Sequence, residues 1–399
     1  RGVPMLALIR TDAASHIGTG HVMRCLTLAQ ALREQGVTVE FICRLHAGHL
    51  LELIQARGFV VHALPASISS DSGSHATPHP DAHASAHSHT STEARTQTDS
   101  HTPSPTHAHW LGCDWQLDAA EVAAILCNCP TRPDWLILDH YALDANWQAA
   151  VKPQVRHLMV IDDLADRPHL ADLLLDQNLW PDMKTRYASH IPPACVCLLG
   201  PAYALLQAQY AALRNDQAAP IQPRPDQPQR LFAFFGGVDA ANLSGMTLQA
   251  FLALQRPDLQ LDLVLPGNSV HNAAIEAMAS GHRNAHLHSK LPTLAPLMAK
   301  ADLALGAGGS TTWERLCLLL PALVVTVAQN QEVSAQEQHR LGLIHWLGGH
   351  EHITAATLEA TLRSVLQQGV AQFVPANLQP WVDGQGAQRV VQRLLSISS

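Results

Sequence analysis

The chain has 399 residues, 47% of them hydrophobic and only 15% charged, with a formal net charge of −8. At roughly 100–200 residues per domain this length predicts two domains, and so low a charge content suits large buried elements. The acidic balance, with no clustered Lys and Arg between aromatics, excludes a nucleic-acid binder, so an anionic ligand has to be held locally by loops and helix ends.

The first apolar run, Met5–Ile9, reads as a strand, and Val22 to Gln35 behind it as an amphipathic helix. Gly18-Thr19-Gly20-His21 lies between them. A glycine-rich strand-to-helix turn brings backbone N–H groups close to an anion, and here the next residue is an imidazole able to take a proton. Short motifs of this kind are common, so the turn gains weight only from a second loop of related design far along the chain.

Val39–Cys43, Val60–Leu64, Trp135–Asp139, Leu158–Ile161 and Leu173–Asp176 continue the pattern. Runs without polar alternation suit strands buried on both faces of a parallel sheet, with helices as crossovers. Residues 1–214 are therefore expected to form one doubly wound α/β domain. Asp139-His140-Tyr141 and Asp162-Asp163 end consecutive strands at the edge where ligands bind, and Asp12 belongs to the same edge. There a phenol can hold a water or sugar group and a carboxylate can orient an imidazole, although Asp162, Asp163 and Asp166 also read as a solvated face.

Residues 66–109 interrupt the pattern with a Ser/Thr/His/Pro-rich segment that includes His75, His79, His83 and His87 at every fourth position. On a helix these would form a metal-binding stripe, but Pro78 and Pro80 oppose one, so a disordered surface insertion is expected. Residues 215–230, with Pro220, Pro223, Pro225 and Pro228, read as an interdomain linker. In residues 231–399 the strand pattern restarts with Leu231–Phe235, Leu261–Leu265, Ala285–Leu287, Leu303–Leu305 and Leu323–Val327. Two such sheets place their carboxyl ends around a central cleft, and a last helical pattern near Gln385 to Leu395 can return to brace the first domain.

In the second domain Gly306-Ala307-Gly308-Gly309-Ser310-Thr311-Thr312 follows a strand and opens the helix that carries Glu314. Gly308 and Gly309 allow close approach of a diphosphate, Ser310 and Thr311 donate to it, and Glu314 can accept from ribose hydroxyls. A tight turn whose glutamate complements the helix dipole is the plainer alternative. Gly236-Gly237-Val238-Asp239, with Asn242 behind, is a third glycine turn at the same edge, and Asn330-Gln331 adds two amides suited to sugar hydroxyl or acetamido groups.

The eight cysteines, Cys25, Cys43, Cys113, Cys127, Cys129, Cys195, Cys197 and Cys317, include no C-x-x-C pair. Most fall in apolar runs, which points to a reducing cytoplasm and no thiolate metal site. No apolar stretch is long enough to span a membrane, and there is no signal-peptide layout; Met5, after Arg1, is a candidate start. No membrane partner is expected, and a monomer is the simplest state.

Taken in order, Arg10 to Asp12, Gly18 to His21, Asp139-His140-Tyr141, Gly236 to Asp239, Gly306 to Glu314 and Asn330-Gln331 resemble the UDP-2,4-diacetamido-2,4,6-trideoxy-β-L-altropyranose hydrolases of pseudaminic acid biosynthesis. The likeness covers most of the chain except the histidine-rich insertion. More distantly the chain resembles the lipid-linked N-acetylglucosaminyltransferases of peptidoglycan synthesis, which share a two-domain, GT-B-like architecture. The resemblance implies a hydrolase of a UDP-activated diacetamido-trideoxy sugar, with His21 as general base for water attack at C1 with inversion and Tyr141 positioning the water or substrate. Substrate contacts are implied for Asp12, Gly18, Gly20, Arg24, Asp139, Tyr203, Gly236, Gly237, Asp239, Gly308, Gly309, Ser310, Thr311, Glu314, Asn330 and Gln331. No D-x-D metal motif occurs, so no metal and no cofactor is expected, and Arg214 matches the family without an assigned role. A GT-B glycosyltransferase and a sugar-nucleotide or metal-binding protein without turnover are the alternatives.

Overall fold

The apolar runs pair in parallel to give two open sheets. The computed structural model describes residues 4–66, 105–216, 229–267, 269–370 and 381–398. The four linker prolines and His75 to His101 of the histidine-rich segment, with the metal-stripe reading, lie outside the described residues.

The first sheet holds β1 (Leu6–Thr11), β2 (Thr38–Arg44), β3 (Val60–Leu64), β4 (Trp135–Asp139), β5 (His157–Ile161), β6 (Leu173–Asp176) and β7 (Val196–Leu199), in the order β3-β2-β1-β4-β5-β6-β7. The second holds β8 (Arg230–Phe234), β9 (Gln260–Val264), β10 (Ala285–His288), β11 (Leu303–Ala307), β12 (Ala322–Thr326) and β13 (His345–Gly349), in the order β10-β9-β8-β11-β12-β13. Crossover helices α1 (Gly20–Glu34), α2 (Leu51–Ala56), α3 (Trp115–Cys127) and α4 (Ala145–Val151) accompany the first sheet, whereas α5 (Ala208–Asn215) places Tyr210 in a core with Phe232 and Trp313 of the second domain. The second is accompanied by α6 (Leu243–Ala253), α7 (Asn272–Ala279), α8 (Ala295–Lys300), α9 (Thr311–Cys317), α10 (Gln329–Arg340) and α11 (Ala355–Gln368). No helix among the described residues is long and apolar enough to cross a membrane.

The side-chain period of two explains why unalternated runs become central strands. On β1, Ala7 and Ile9 point into a core with Val22, Cys25 and Leu28 of α1, while Leu6 and Leu8 point into a second core with Val122, Leu126 and Trp147. Both faces are thus apolar, as a parallel sheet covered by helices requires. β7 and β13 go beyond the sequence reading. Both are edge strands, and β13 is half-exposed, ends in two glycines and shifts register against β12 between Val324 and Val325.

The last helix, α12 (Gly386–Ser398), crosses back to the first sheet. Val390, Val391 and Leu394 join the core beside α1, each fully buried aliphatic side chain contributing about 1.5–3 kcal/mol. Gly386 permits the approach, since a Cβ there would lie 2.2 Å from the Ala204 carbonyl oxygen.

Strand order reverses between β1 and β4 in one sheet and between β8 and β11 in the other. Open α/β sheets bind ligands at such switch points, outside the carboxyl ends of the strands. The segments leaving those four ends are Gly18–His21, His140–Tyr141, Phe235–Asp239 and Gly308–Ser310, so the topology alone gathers the chemistry of the chain around one cleft.

Candidate active site

The cleft between the sheets has a volume of about 760 Å³, within the usual range for ligand sites. Its first-domain wall includes Gly18, Gly20, His21, Arg24, Tyr141, Asp163 and Asn178; its second-domain wall includes Gly236, Gly237, Asp239, Gly308, Gly309, Ser310, Thr311, Glu314, Asn330 and Gln331.

His21 sits in the first turn of α1, where Gly18 at φ +86° turns the chain out of the loop. Its Nδ1 lies 2.7 Å from Asp139 Oδ1. Burial alone would raise the Asp139 carboxyl, but the Arg24 guanidinium and His21 hold it below the usual carboxylate range. An ionised carboxylate only accepts, so Nδ1 carries the proton and donates it, leaving Nε2 as an acceptor on the cleft side. Arg24 fixes the carboxylate from behind, Nε to Oδ2 and Nη2 to Oδ1, both at 2.6 Å. Asp139 is fully buried and outside the cleft lining, so it serves the imidazole rather than a substrate, which corrects its expected contact, while Arg24 lines the cleft and braces that carboxylate.

Tyr141 packs edge-on against His21, with ring centroids 4.7 Å apart. Its hydroxyl donates to Asp163, and burial and that carboxylate raise it well above the ordinary phenol range. It is therefore a neutral phenol whose proton is already engaged, suited to holding the ring of His21 more than to donating to a ligand. Asp163 also accepts from Asn178 Nδ2 at 3.1 Å, and Asn178 Oδ1 accepts from Trp313 Nε1 of α9 at 3.2 Å. Because Arg24 Nη1 also donates to Asp163 Oδ2 at 3.4 Å, a hydrogen-bonded chain runs from the imidazole through Asp139, Arg24, Asp163 and Asn178 to the helix that follows the Gly308 loop.

Three expected positions lie elsewhere. Asp12 is fully buried; Arg10 Nη1 donates to its Oδ1 at 2.5 Å, the Arg44 N–H donates to the same oxygen at 2.7 Å, and His140 Nε2 stands 3.2 Å from Oδ2. Enclosed there and absent from the cleft lining, it is a structural carboxylate rather than a substrate contact. Tyr203 belongs to the single turn Pro201–Tyr203 beneath α12, packed on the first core away from the cleft lining. Arg214 acquires a structural role, its Nη1 donating to Cys317 O at 2.6 Å at the end of α9.

In the second domain, β11 runs on to Ala307, shortening the glycine loop to Gly308–Ser310. Glu314, one turn into α9, is half-buried, and its Oε2 has no partner among the described residues. Burial pushes its carboxyl up to about 7, opposed by Tyr210 and Arg315. Asp239 accepts from the N–H groups of Leu243 at 2.8 Å and Ser244 at 2.9 Å, which fixes its carboxylate at the start of α6. Asn330 and Gln331 occupy the first turn of α10 rather than a loop, and Gln331 Oε1 accepts from Val327 N at 3.0 Å.

Asp163, Asn178, Tyr210 and Trp110 are cleft residues outside the sequence-based set. Asp163 carried a signal, its place at a strand end; Trp110 was masked by the composition around it. His107 and the turn Ala108–Leu111 are ordered, which corrects the expectation that the whole of 66–109 is disordered. Trp110 stacks on Tyr141 at 5.3 Å, with His107 against it at 4.5 Å.

No family model matches the chain. A 195-residue stretch is 26% identical to the spore coat polysaccharide biosynthesis protein SpsG of Bacillus subtilis, covering 48% of this chain and 56% of that protein. A 204-residue stretch is 24% identical to the UDP-2,4-diacetamido-2,4,6-trideoxy-β-L-altropyranose hydrolase of Campylobacter jejuni, covering 50% of this chain and 69% of that one. The match with SpsG thus spans little more than half of that relative's length. Among solved structures, MurG of Acinetobacter baumannii superposes with a TM-score of 0.59 at 12% identity over 98% of this chain and 100% of its own. The UDP-GlcNAc 2-epimerase of Neisseria meningitidis, bound to UDP-GlcNAc, gives 0.56 at 15% over 99% and 100%. At these identities the likeness concerns the fold, two parallel-sheet α/β domains of the GT-B kind.

Proposed function

We propose that the chain hydrolyses UDP-2,4-diacetamido-2,4,6-trideoxy-β-L-altropyranose to UDP and the free sugar, as a cytoplasmic step of pseudaminic acid biosynthesis. The observation that carries the reading is the His21–Asp139 pair, a cleft-facing imidazole whose Nδ1 is committed at 2.7 Å. It stands opposite two glycine loops at the other switch point. The relative named as this hydrolase supports the choice of sugar.

In this reading His21 Nε2 takes a proton from water as the water oxygen attacks C1 from the face opposite UDP. The C1–O bond breaks and its electron pair leaves with the β-phosphate of UDP, giving the inverted anomer. Asp139 stabilises the resulting imidazolium without itself taking the proton, and the imidazolium then returns its proton to solvent. Ser310, Thr311 and the backbone of Gly308 and Gly309 receive the diphosphate, because donors fixed in advance at a developing charge need no reorganisation. Glu314 accepts from the ribose hydroxyls through its unpartnered oxygen, and the Asn330 and Gln331 amides face the acetamido groups.

The test is an acceptor-free assay followed by ³¹P and ¹H NMR. Release of UDP with the inverted sugar anomer formed first is expected. No release until a hydroxyl acceptor is added would make the chain a transferase, with His21 deprotonating that acceptor. Isomerisation without UDP release would make it an epimerase.

A further inference from the structure

Arg315, one residue beyond Glu314 on α9, is fully buried. Among the described residues its side chain donates only to neutral acceptors, Nη2 to Ala307 O at 2.8 Å and Thr312 Oγ1 at 2.9 Å, and Nη1 to Thr311 Oγ1 at 3.4 Å, and Nε has no partner. Among the described residues no carboxylate forms an ion pair with it, and its acidic neighbour Glu314, pushed up to about 7 by burial, is a weak counter-charge at neutral pH. A buried cation normally demands a counter-ion, because desolvation is otherwise uncompensated.

The seat of this guanidinium is built into the strand above it. A Cβ at Gly306 would lie 2.1 Å from Arg315 Nη1 and 3.0 Å from the Phe234 carbonyl oxygen, so glycine at 306 is what admits the charge. Thr311, which accepts from Nη1, lines the cleft. A hydroxyl that accepts from a guanidinium has its own proton left to give.

We infer that Arg315 is a positioning residue for the diphosphate of the ligand, standing one hydroxyl behind the cleft wall. It supplies the positive charge that the ligand's anion balances, and it turns the Thr311 hydroxyl into a donor toward a phosphate oxygen. The inference rests on the reading of Gly308–Thr311 as a diphosphate loop.

The experiment is calorimetric titration of UDP and uridine, with thermal melting in inorganic pyrophosphate, on the wild type, Arg315→Met and Arg315→Lys. Arg315→Met should weaken UDP by about tenfold or more, the scale of one lost charge interaction at this depth, while uridine changes by less than about twofold. The rise in melting temperature produced by pyrophosphate should vanish with it, and Arg315→Lys should restore much of both effects. Should Arg315→Met fail to fold, Gly306→Ala displaces the guanidinium without removing it and should lower the UDP-to-uridine preference in the same direction. Equal weakening of UDP and uridine in a folded variant, or no weakening, overturns the inference alone. A wild type that binds neither UDP nor pyrophosphate overturns the diphosphate reading and the inference together.

Discussion

Thr19 and Gly237 meet across the cleft, so closely that a Cβ at 237 would stand 2.5 Å from Thr19 Oγ1 and 3.1 Å from Cγ2. The loop that carries His21 and the loop that follows β8 therefore touch, and the glycine is what lets them. Gly237→Ala should prop the walls apart and lower kcat/KM for UDP release by about tenfold, since a displacement of about 1 Å is enough to spoil alignment. Thr19→Ala in the same chain removes the colliding atoms and should recover most of the loss. Additive losses in that double-mutant cycle would refute the contact as the cause.

His21→Ala should lower kcat by about 10²–10⁴ while leaving the Kd for UDP within about twofold, because the nucleotide loops lie in the other domain. Asp139→Asn should lose rate on a similar scale through the imidazole tautomer. It should also melt earlier than His21→Ala, because buried Arg24, which donates twice to Asp139 at 2.6 Å, is left with only the 3.4 Å contact to Asp163. Parallel steady-state kinetics and melting curves check both.

Glu314 sets a pH dependence. With its carboxyl near 7 in the free protein, ribose hydroxyls that favour the ionised form lower it on binding, so binding releases a proton and affinity rises with pH. A UDP-sugar, whose diphosphate does not titrate in this range, should bind about tenfold more tightly at pH 8 than at pH 6 if its carboxyl moves down by more than about one unit. Glu314→Gln should bind with a flat profile. Titration calorimetry in buffers of different ionisation enthalpy would reveal the proton.

Stability of the first domain turns on Asp118, which is fully buried and accepts from Arg10 Nη2 at 2.8 Å, Arg44 Nη2 at 2.7 Å and Trp147 Nε1 at 2.9 Å. Asp118→Ala leaves two buried guanidinium groups short of a partner and should cost about 3–5 kcal/mol in denaturant unfolding. Although burial opposes it, Arg10 and Arg44 hold the Asp118 carboxyl below its ordinary range, and Arg10 and His140 do the same for Asp12. A carboxylate lowered on folding stabilises fully above its unfolded value, about 4, and that contribution is lost as pH falls toward the folded value. The wild type should therefore lose stability steeply below about pH 4, and Asp118→Ala less steeply.

What was legible in the sequence was local. Gly18 to His21, Gly308 to Thr311 and Glu314 are recognisable because a strand, a glycine turn and a helix start are contiguous, and topology then brings such ends to one cleft. Asp12 was misread because only Arg10, two residues back, is a local partner, while Arg44 at the end of β2, His46 beyond it and His140 beyond β4 close around it through the fold. Arg24 and Asp139 stand 115 positions apart, and only the register of β1 against β4 reveals that they serve the imidazole. Trp110 was hidden by the histidine-rich composition around it. Arg315 was hidden because an arginine on an apolar helix reads as a surface residue until Gly306 is seen above it.

Whether His21 activates water for attack at carbon is decided by hydrolysis of the diacetamido-trideoxy-altrose nucleotide in ¹⁸O-labelled water, without an acceptor. Label is expected at C1 of the released sugar and not in UDP, with release lost in His21→Ala; label in UDP would mean attack at phosphorus and rule out the carbon mechanism.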